Sequence, residues 1–264
     1  MKITICAIIK NEQRYLEEWI KHNLSIGFTD IHLYEDYGSL PHKDITSKYS
    51  NVHLHSYSEV LLSNYVGGDK KQMDLFTYFT NTYKSEYDWC AFIDPDEFIR
   101  LEEGYSLERL CSEYKDYNGV MLQQKTYGAN GHIRRPSGGL QENYTADTNV
   151  HEYHKVKFNM KTIVNFNKDK IEFKGVHRVR GAVFTNYVNR LKQPMCYKKA
   201  WYDHYYTKSW EDWVERFTSR GDVCPGNVKL DEFFIYNKIN VSDLVDYDNA
   251  VLDAVQRREE MDAK

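Results

Sequence analysis

Trp89–Arg100 reads WCAFIDPDEFIR. An apolar run stops abruptly at three carboxylates, Asp94, Asp96 and Glu97. The stretch Trp89–Ile93 predicts a buried strand, and the carboxylates then stand where that strand leaves its sheet. Pro95 stiffens the exit through its fixed φ, and Phe98-Ile99 returns to the core. Two aspartates one residue apart at such a point suit a hard divalent cation, and the cation can grip a diphosphate. An acidic solvated turn is the plainer alternative.

Working outward, Ile3–Ile9 is another continuous apolar run and reads as a strand buried on both faces, as in a parallel sheet. Asn11 reads as the cap of a helix in which Tyr15, Leu16, Trp19, Ile20 and Leu24 recur at three- and four-residue spacing, with Glu12 in its first turn and Gly27 at its end. Strands follow at Ile31–Tyr34 and Val52–Tyr57, and a helix at Lys71–Tyr83. This alternation predicts an α/β, Rossmann-like, mostly parallel sheet with helices on both sides. Ligands of such sheets bind beyond the carboxyl ends of the strands. Three polar clusters fall there: Lys10-Asn11-Glu12, Glu35-Asp36 and Asp94-Pro95-Asp96-Glu97. Lys10, Glu12 and Asp36 are candidates to hold a base or ribose. Strand-end, helix-dipole and turn chemistry explain the same residues without a ligand.

After Gly104 the pattern turns into a mixed α+β half. Helices are expected at Leu107–Tyr114 and Trp210–Arg220 and from Ser242 onward, and a strand at Gly119–Lys125. Glycines mark Tyr127–His132 and Arg134–Gly139 as loops. Residues 151–200 hold 12 Lys or Arg against 3 Asp or Glu. That bias suits a solvated face, but also anionic phosphates or peripheral contact with an anionic lipid surface. No internal repeat or low-complexity linker divides the chain, so a single domain over 1–264 is expected.

The 264 residues carry a formal net charge of −4, which gives no reason to expect a nucleic-acid partner. The 22 Tyr, 12 Phe and 5 Trp suit sugar and base faces, but they also simply pack cores. Cys6, Cys90, Cys111, Cys196 and Cys224 are odd in number and lack CxxC spacing, and two of them lie in apolar strands, which favours a reducing compartment. No signal-peptide core precedes Lys2. No apolar run approaches the ~20 residues needed to span a bilayer. A cytoplasmic chain, membrane-associated at most, is the expectation.

The segments KNEQRYLEEWIKHNLSIGFTDIHLYED (10–36) and WCAFIDPDEFI (89–99) resemble glycosyltransferases of the family 92-like and family 2-like group, which have the GT-A fold. Further segments are similar in order. Tyr127-Gly128-Ala129-Asn130-Gly131-His132 resembles an aromatic-Gly-Ser-Ser-Gly-His segment, and Gly139–Thr145 a segment with a Glu before an aromatic-Thr. Lys161-Thr162-Ile163-Val164 resembles Lys-Ser-Ile-Val. Gly175-Val176-His177 and His204–Ser209 resemble the late histidine segments, and Ser219-Arg220-Gly221 a closing Arg-Gly. The resemblance covers about residues 2–222.

It implies a metal-dependent transferase that moves a sugar from a nucleotide-sugar, most often a UDP-sugar, to a glycan or lipid-linked acceptor, with Mn²⁺ or Mg²⁺. By this resemblance Asp96 ligates the metal and Asp94 contacts ribose or metal. His204 is the late metal ligand, with His177 its rival, and Lys208 lies near the diphosphate. Glu142 falls at the position of a general base, which favours an inverting reaction. Residues 1–104 would be the nucleotide-sugar half, 105–222 the acceptor-binding and catalytic half, and 223–264 a helical extension. Three departures stand out: Gly-Ala-Asn-Gly for Gly-Ser-Ser-Gly, Asp36-Tyr37 for Asp-Asn-Asp, which weakens the transfer of base and ribose contacts, and Asp203 where Asn precedes the late His; none removes the Asp94/Asp96 pair, Glu142 or His204. A nucleotidyltransferase or phosphohydrolase built on the same acidic site, and a non-catalytic carbohydrate-binding module, are the competing classes.

Overall fold

Strand β1 (Ile3–Ile9) is apolar almost throughout and alternates its side chains between two covered faces. A computed structural model describes residues 1–60, 68–148, 160–185, 197–218 and 232–237. After β1 come α1 (Leu16–Ser25), β2 (Asp30–Glu35), α2 (Lys43–Thr46), β3 (Val52–Ser56), a 3₁₀ turn (Tyr57–Glu59), α3 (Gly68–Tyr83), β4 (Trp89–Phe92) and β5 (Glu97–Leu101). The later elements are α4 (Leu107–Glu113), β6 (Gly119–Tyr127), α5 (Leu140–Asn143), β7 (Met160–Asn165), β8 (Ala182–Phe184), β9 (Ala200–Tyr205), α6 (Trp210–Thr218) and α7 (Glu232–Asn237).

The strands form one sheet in the order β3-β2-β1-β4-β7-β6-β9-β5, with β8 beside β6. From β3 to β4 every pairing is parallel, whereas β7 runs antiparallel to both β4 and β6. The α/β class and the mostly parallel sheet expected from the sequence are both present. Cys6, Tyr34, Cys90, Phe92 and Val164 gather on one face against Leu75, Phe76 and Phe79 of α3. Burying each of those α3 side chains contributes about 1.5–3 kcal/mol. Ile3, Ile5, Ala7 and Ile9 are also buried, so the opposite face is covered as well. Gly119 is required at the β6–β7 pairing, because a Cβ there would stand 2.8 Å from the Ile163 carbonyl oxygen.

The α1 helix begins later than its periodicity suggests. It starts at Leu16, and Tyr15 occupies the capping position without a side-chain bond. Asn11 does not cap it. Asn11 sits at φ 53°, its N–H donates to Ser39 Oγ at 3.2 Å, and its Oδ1 accepts from the Leu40 N–H at 2.9 Å. An asparagine tolerates this left-handed backbone better than most residues, and here it ties the end of β1 to the loop after β2. Glu12 therefore precedes the helix; its carbonyl accepts from the Tyr15 and Leu16 N–H groups. The expected helix from Ser242 lies outside the described residues, as do parts of the basic stretch 151–200.

The chain divides into two compact units, 1–125 with 157–203, and 126–156 with 204–264. The first contains the sheet apart from the last residues of β6 and β9. In the second, Trp210, Trp213 and Val214 of α6 pack with Phe233 of α7 and with Ala129. Cys6, Cys90 and Cys111 are buried free thiols in the first unit. Among the described residues no helix is long and apolar enough to cross a membrane.

Candidate functional site

In the first unit the DPDE segment forms a tight turn at the end of β4. The Glu97 N–H donates to the Asp94 carbonyl at 3.0 Å, and the Asp94 N–H donates back to Glu97 Oε2 at 2.9 Å. Pro95 thus occupies the second position of a four-residue turn, where its fixed φ is favoured, and Asp96 the third. Glu97 orients the loop through a backbone amide. It is only 2% exposed.

A buried carboxylate needs a counter-charge, and Lys161 supplies it. Lys161 belongs to β7, whose six residues are all buried. Its Nζ lies 2.8 Å from Asp94 Oδ2 and 3.1 Å from Glu97 Oε2. Burial alone would lower the ammonium's pKa, but Asp94 and Glu97 outweigh it and hold the group above the ordinary lysine value. The other Asp94 oxygen accepts from Gln72 Nε2 at 3.0 Å. Tyr202 of β9 is fully buried and donates to Gln124 Oε1 at 2.8 Å. Burial, then the charges of Glu97, Asp94 and Asp96, push its phenol up.

Asp36 stands at the end of β2 between two lysines. Lys10 Nζ is 3.8 Å from its Oδ2, and Lys71 forms an ion pair with its Oδ1. The Lys71 ammonium also lies 4.6 Å from the centre of the Tyr57 ring and 5.5 Å from that of Tyr37. Tyr37 is exposed. Lys71 and Gln72 are neighbours on the first turns of α3, so one helix end reaches both Asp36 and Asp94. Beside them, His42 is completely buried. Its Nε2 accepts from the Glu12 N–H at 3.0 Å, so its Nδ1 carries the proton and donates to Glu35 Oε1 at 2.9 Å. This buckle joins the ends of β1 and β2. Glu12 itself is buried. His177 is exposed, and its carbonyl accepts from Thr162 Oγ1 at 2.9 Å.

The second unit brings three of the resembling segments together. The His132 carbonyl accepts from the Trp210 N–H at 3.1 Å, the His132 ring meets Tyr144 edge-on at 5.6 Å, and Asn130 Nδ2 donates to the Asn143 carbonyl at 3.1 Å. Asp212 is the hub. It accepts from Arg135 Nε at 2.6 Å, Ser209 Oγ at 2.6 Å and the Tyr144 hydroxyl at 3.3 Å. The Asp212 N–H returns a bond to Ser209 Oγ at 3.1 Å, so the pair caps the start of α6 reciprocally. Glu142 lies on α5 and is exposed, with its carboxylate over Gly138, where a Cβ would come within 2.5 Å of Oε2. His204 is half-buried at the end of β9, its ring 5.3 Å from that of Tyr206. Lys208 is buried in the turn before α6 at φ 55°.

The structure therefore places Lys10, Glu12, Asp36, Asp94 and Asp96 at the strand ends of the first unit, and Glu142, His204 and Lys208 in the second. Among the described residues, no three His, Cys, Asp or Glu side chains converge in a way that could hold a metal ion. Lys161, Lys71, Gln72 and His42 carried no functional role in the sequence, although Lys161 stood in one of the resembling segments. Only Lys161 left a signal: a lysine between Met160 and the Ile163-Val164 pair of a strand demands a buried partner.

No family model matches the chain. It is 24% identical over 163 residues to a glycosyltransferase family 92 protein of Ricinus communis, which covers 58% of this chain and 28% of that protein. It is 22% identical over 155 residues to a family 92 protein of Oryza sativa subsp. japonica, covering 57% and 26%. The chain thus spans about a quarter of the length of the curated relatives it matches. Among solved structures, glucosyl-3-phosphoglycerate synthase from Mycobacterium tuberculosis, in complex with Mn²⁺, UDP and phosphoglyceric acid, aligns at 16% identity and TM-score 0.33 over 47% of this chain and 43% of that one. HddC from Yersinia pseudotuberculosis aligns at 10% identity and TM-score 0.36 over 77% and 93%. The resemblance carried by the sequence motifs is accordingly found among curated proteins: over more than half its length, this chain is similar to glycosyltransferase family 92 proteins.

Proposed function

We propose that this chain transfers a sugar from a nucleotide-sugar donor, a UDP-sugar foremost, to a hydroxyl of a glycan or lipid-linked glycan. The observation that carries this reading is the closed Asp94–Glu97 turn at the carboxyl end of a parallel strand, with Asp36, Lys10 and Lys71 at the neighbouring strand ends. The similarity to family 92 proteins supports the same class. In the first unit, Asp36 accepts from ribose or base, Lys10 and Glu12 frame that end of the pocket, and Asp96 offers a hard oxygen to Mn²⁺ or Mg²⁺. The cation, when bound, offsets charge that builds on the departing diphosphate. In the second unit, Lys208 is assigned to phosphate and His204, ahead of His177, to metal ligation. Glu142 takes the acceptor proton as the acceptor oxygen bonds to the anomeric carbon and the bond from that carbon to the diphosphate oxygen breaks. Attack from the face opposite the diphosphate inverts the configuration.

A screen of nucleotide sugars for binding and slow hydrolysis tests the class. Saturable binding of one donor supports it, and no response to any nucleoside diphosphate or nucleotide sugar removes it. Glu142→Gln is expected to keep donor binding and lower transfer by about 10²–10⁴-fold. Undiminished transfer would take Glu142 out of this role.

A further inference from the structure

We propose that Lys161 is the built-in cation of the Asp94–Glu97 turn, and that Asp94 positions this turn rather than ligating a divalent ion. The inference rests on the reading above, that the turn serves a metal-bound donor, and it assigns the two aspartates different tasks.

Three observations carry it. Lys161 is 2% exposed and extends from a fully buried strand, so its charge must be met inside the protein. Its ammonium touches both Asp94 Oδ2 and Glu97 Oε2, at 2.8 and 3.1 Å. The second Asp94 oxygen is engaged by Gln72 Nε2 at 3.0 Å. Both oxygens of Asp94 therefore already face N–H donors. A divalent ion on either would stand beside a buried ammonium and be repelled by it. Glu97 is turned inward and clamps the Asp94 N–H. The result is a closed ring: Lys161 binds both carboxylates, each end of the turn bonds the other, and Asp96 is carried at the third position of the turn. The ring fixes where Asp96 points. It also lowers the negative charge of the site from three carboxylates to three carboxylates and one ammonium, which weakens metal binding in the absence of a diphosphate.

The test titrates Mn²⁺ alone into the full chain and follows the loss of the free-ion electron paramagnetic resonance signal. Lys161→Met is expected to bind Mn²⁺ about tenfold more tightly than wild type, because Asp94 and Glu97 lose their internal cation. A residue with a merely structural role would not raise metal affinity. Lys161→Arg, which keeps the charge, is expected to return the affinity to the wild-type range. Asp94→Asn, which leaves the Lys161 ammonium under-compensated, is expected to weaken Mn²⁺ binding about tenfold, and Asp94→Asn/Lys161→Met, which restores the charge balance, is expected to return it to the wild-type range, as the loss of a true ligand would not. A loss of Mn²⁺ affinity that persists in Asp94→Asn/Lys161→Met, or unchanged affinity in folded Lys161→Met, overturns the proposal. If Lys161→Met does not fold, Asp94→Asn/Lys161→Met decides alone: Mn²⁺ affinity in the wild-type range supports the proposal, and a loss of about tenfold or more overturns it.

If wild type takes up neither Mn²⁺ nor UDP, the transferase reading fails, and melting without metal decides the Lys161 assignment. The losses from Lys161→Met and Asp94→Asn should then be strongly non-additive in the double variant. Additive losses overturn the pairing.

Discussion

The strand ends of the first unit and the loop cluster of the second both collect charged residues, but they restrain them differently. In the first, Asp94 is held by Lys161 of the buried strand β7, and Asp36 by Lys10 just past β1 and by Lys71 of α3. In the second, the restrained carboxylate is Asp212, held by Arg135, Ser209 and Tyr144, while the candidate base Glu142 stands exposed on a single helical turn. The first arrangement suits a job that needs fixed geometry, such as holding Asp96 toward a divalent cation. The second keeps its scaffold rigid through Asp212 and leaves Glu142 accessible to an incoming hydroxyl.

Substitutions that strip one restraint at a time sharpen this contrast. The largest loss is expected from Lys161→Met, which strands two buried or half-buried carboxylates and should cost about 3–5 kcal/mol in chemical denaturation. Asp212→Ala removes a cap and an ion pair and should cost about 1–3 kcal/mol, less than Lys161→Met because Arg135 keeps Glu215 as a partner. If Asp212→Ala were the more damaging, the two regions would have to be ranked the other way.

Acid should act on the first unit. Burial lowers His22 to about 4, and burial, then the neighbouring His53 and His55, lower His32 to about 3. Both rings are neutral when folded, and the unfolded chain binds protons more readily, from about pH 6.5. Their contribution is therefore present above about pH 6.5 and lost as pH falls toward 4 and then 3. Melting temperature should drop by about 5–10 °C between pH 7 and pH 4, and His32→Gln should flatten that slope. An unchanged slope would mean that His32 is not the group responsible.

The smallest effect is expected at α4, where Ser106 Oγ accepts from the Arg109 N–H at 3.1 Å. Ser106→Ala should cost about 1 kcal/mol and leave both clusters intact.

Much of the first unit was legible in the sequence because its signals are local. Apolar runs predicted the strands at Ile3–Ile9 and Trp89–Ile93, the second ending at Phe92 in the structure, and the helix expected at Lys71–Tyr83 is α3, which starts at Gly68, so the meeting of Lys10, Asp36 and Asp94 at the strand ends followed from topology. What stayed hidden depends on contacts distant in sequence. Lys161 is 67 residues from Asp94, and the bond between them is not visible in either segment alone. Asn11 misled for a related reason: its composition signals a cap, but the loop at Ser39-Leu40 claims its backbone and side chain. In the second unit, Glu142 and His204 were found only through resemblance, since an exposed glutamate on one helical turn and a histidine beside tyrosines carry no pattern of their own.

The central claim is that the Asp94–Glu97 turn anchors a nucleoside diphosphate through a divalent ion on Asp96. Thermal melting with UDP, with and without Mn²⁺, tests it most directly in wild type and Asp96→Ala. The account predicts that UDP raises the wild-type melting temperature only when Mn²⁺ is present, and that Asp96→Ala abolishes the rise. A metal-independent rise, or one retained in Asp96→Ala, would contradict it.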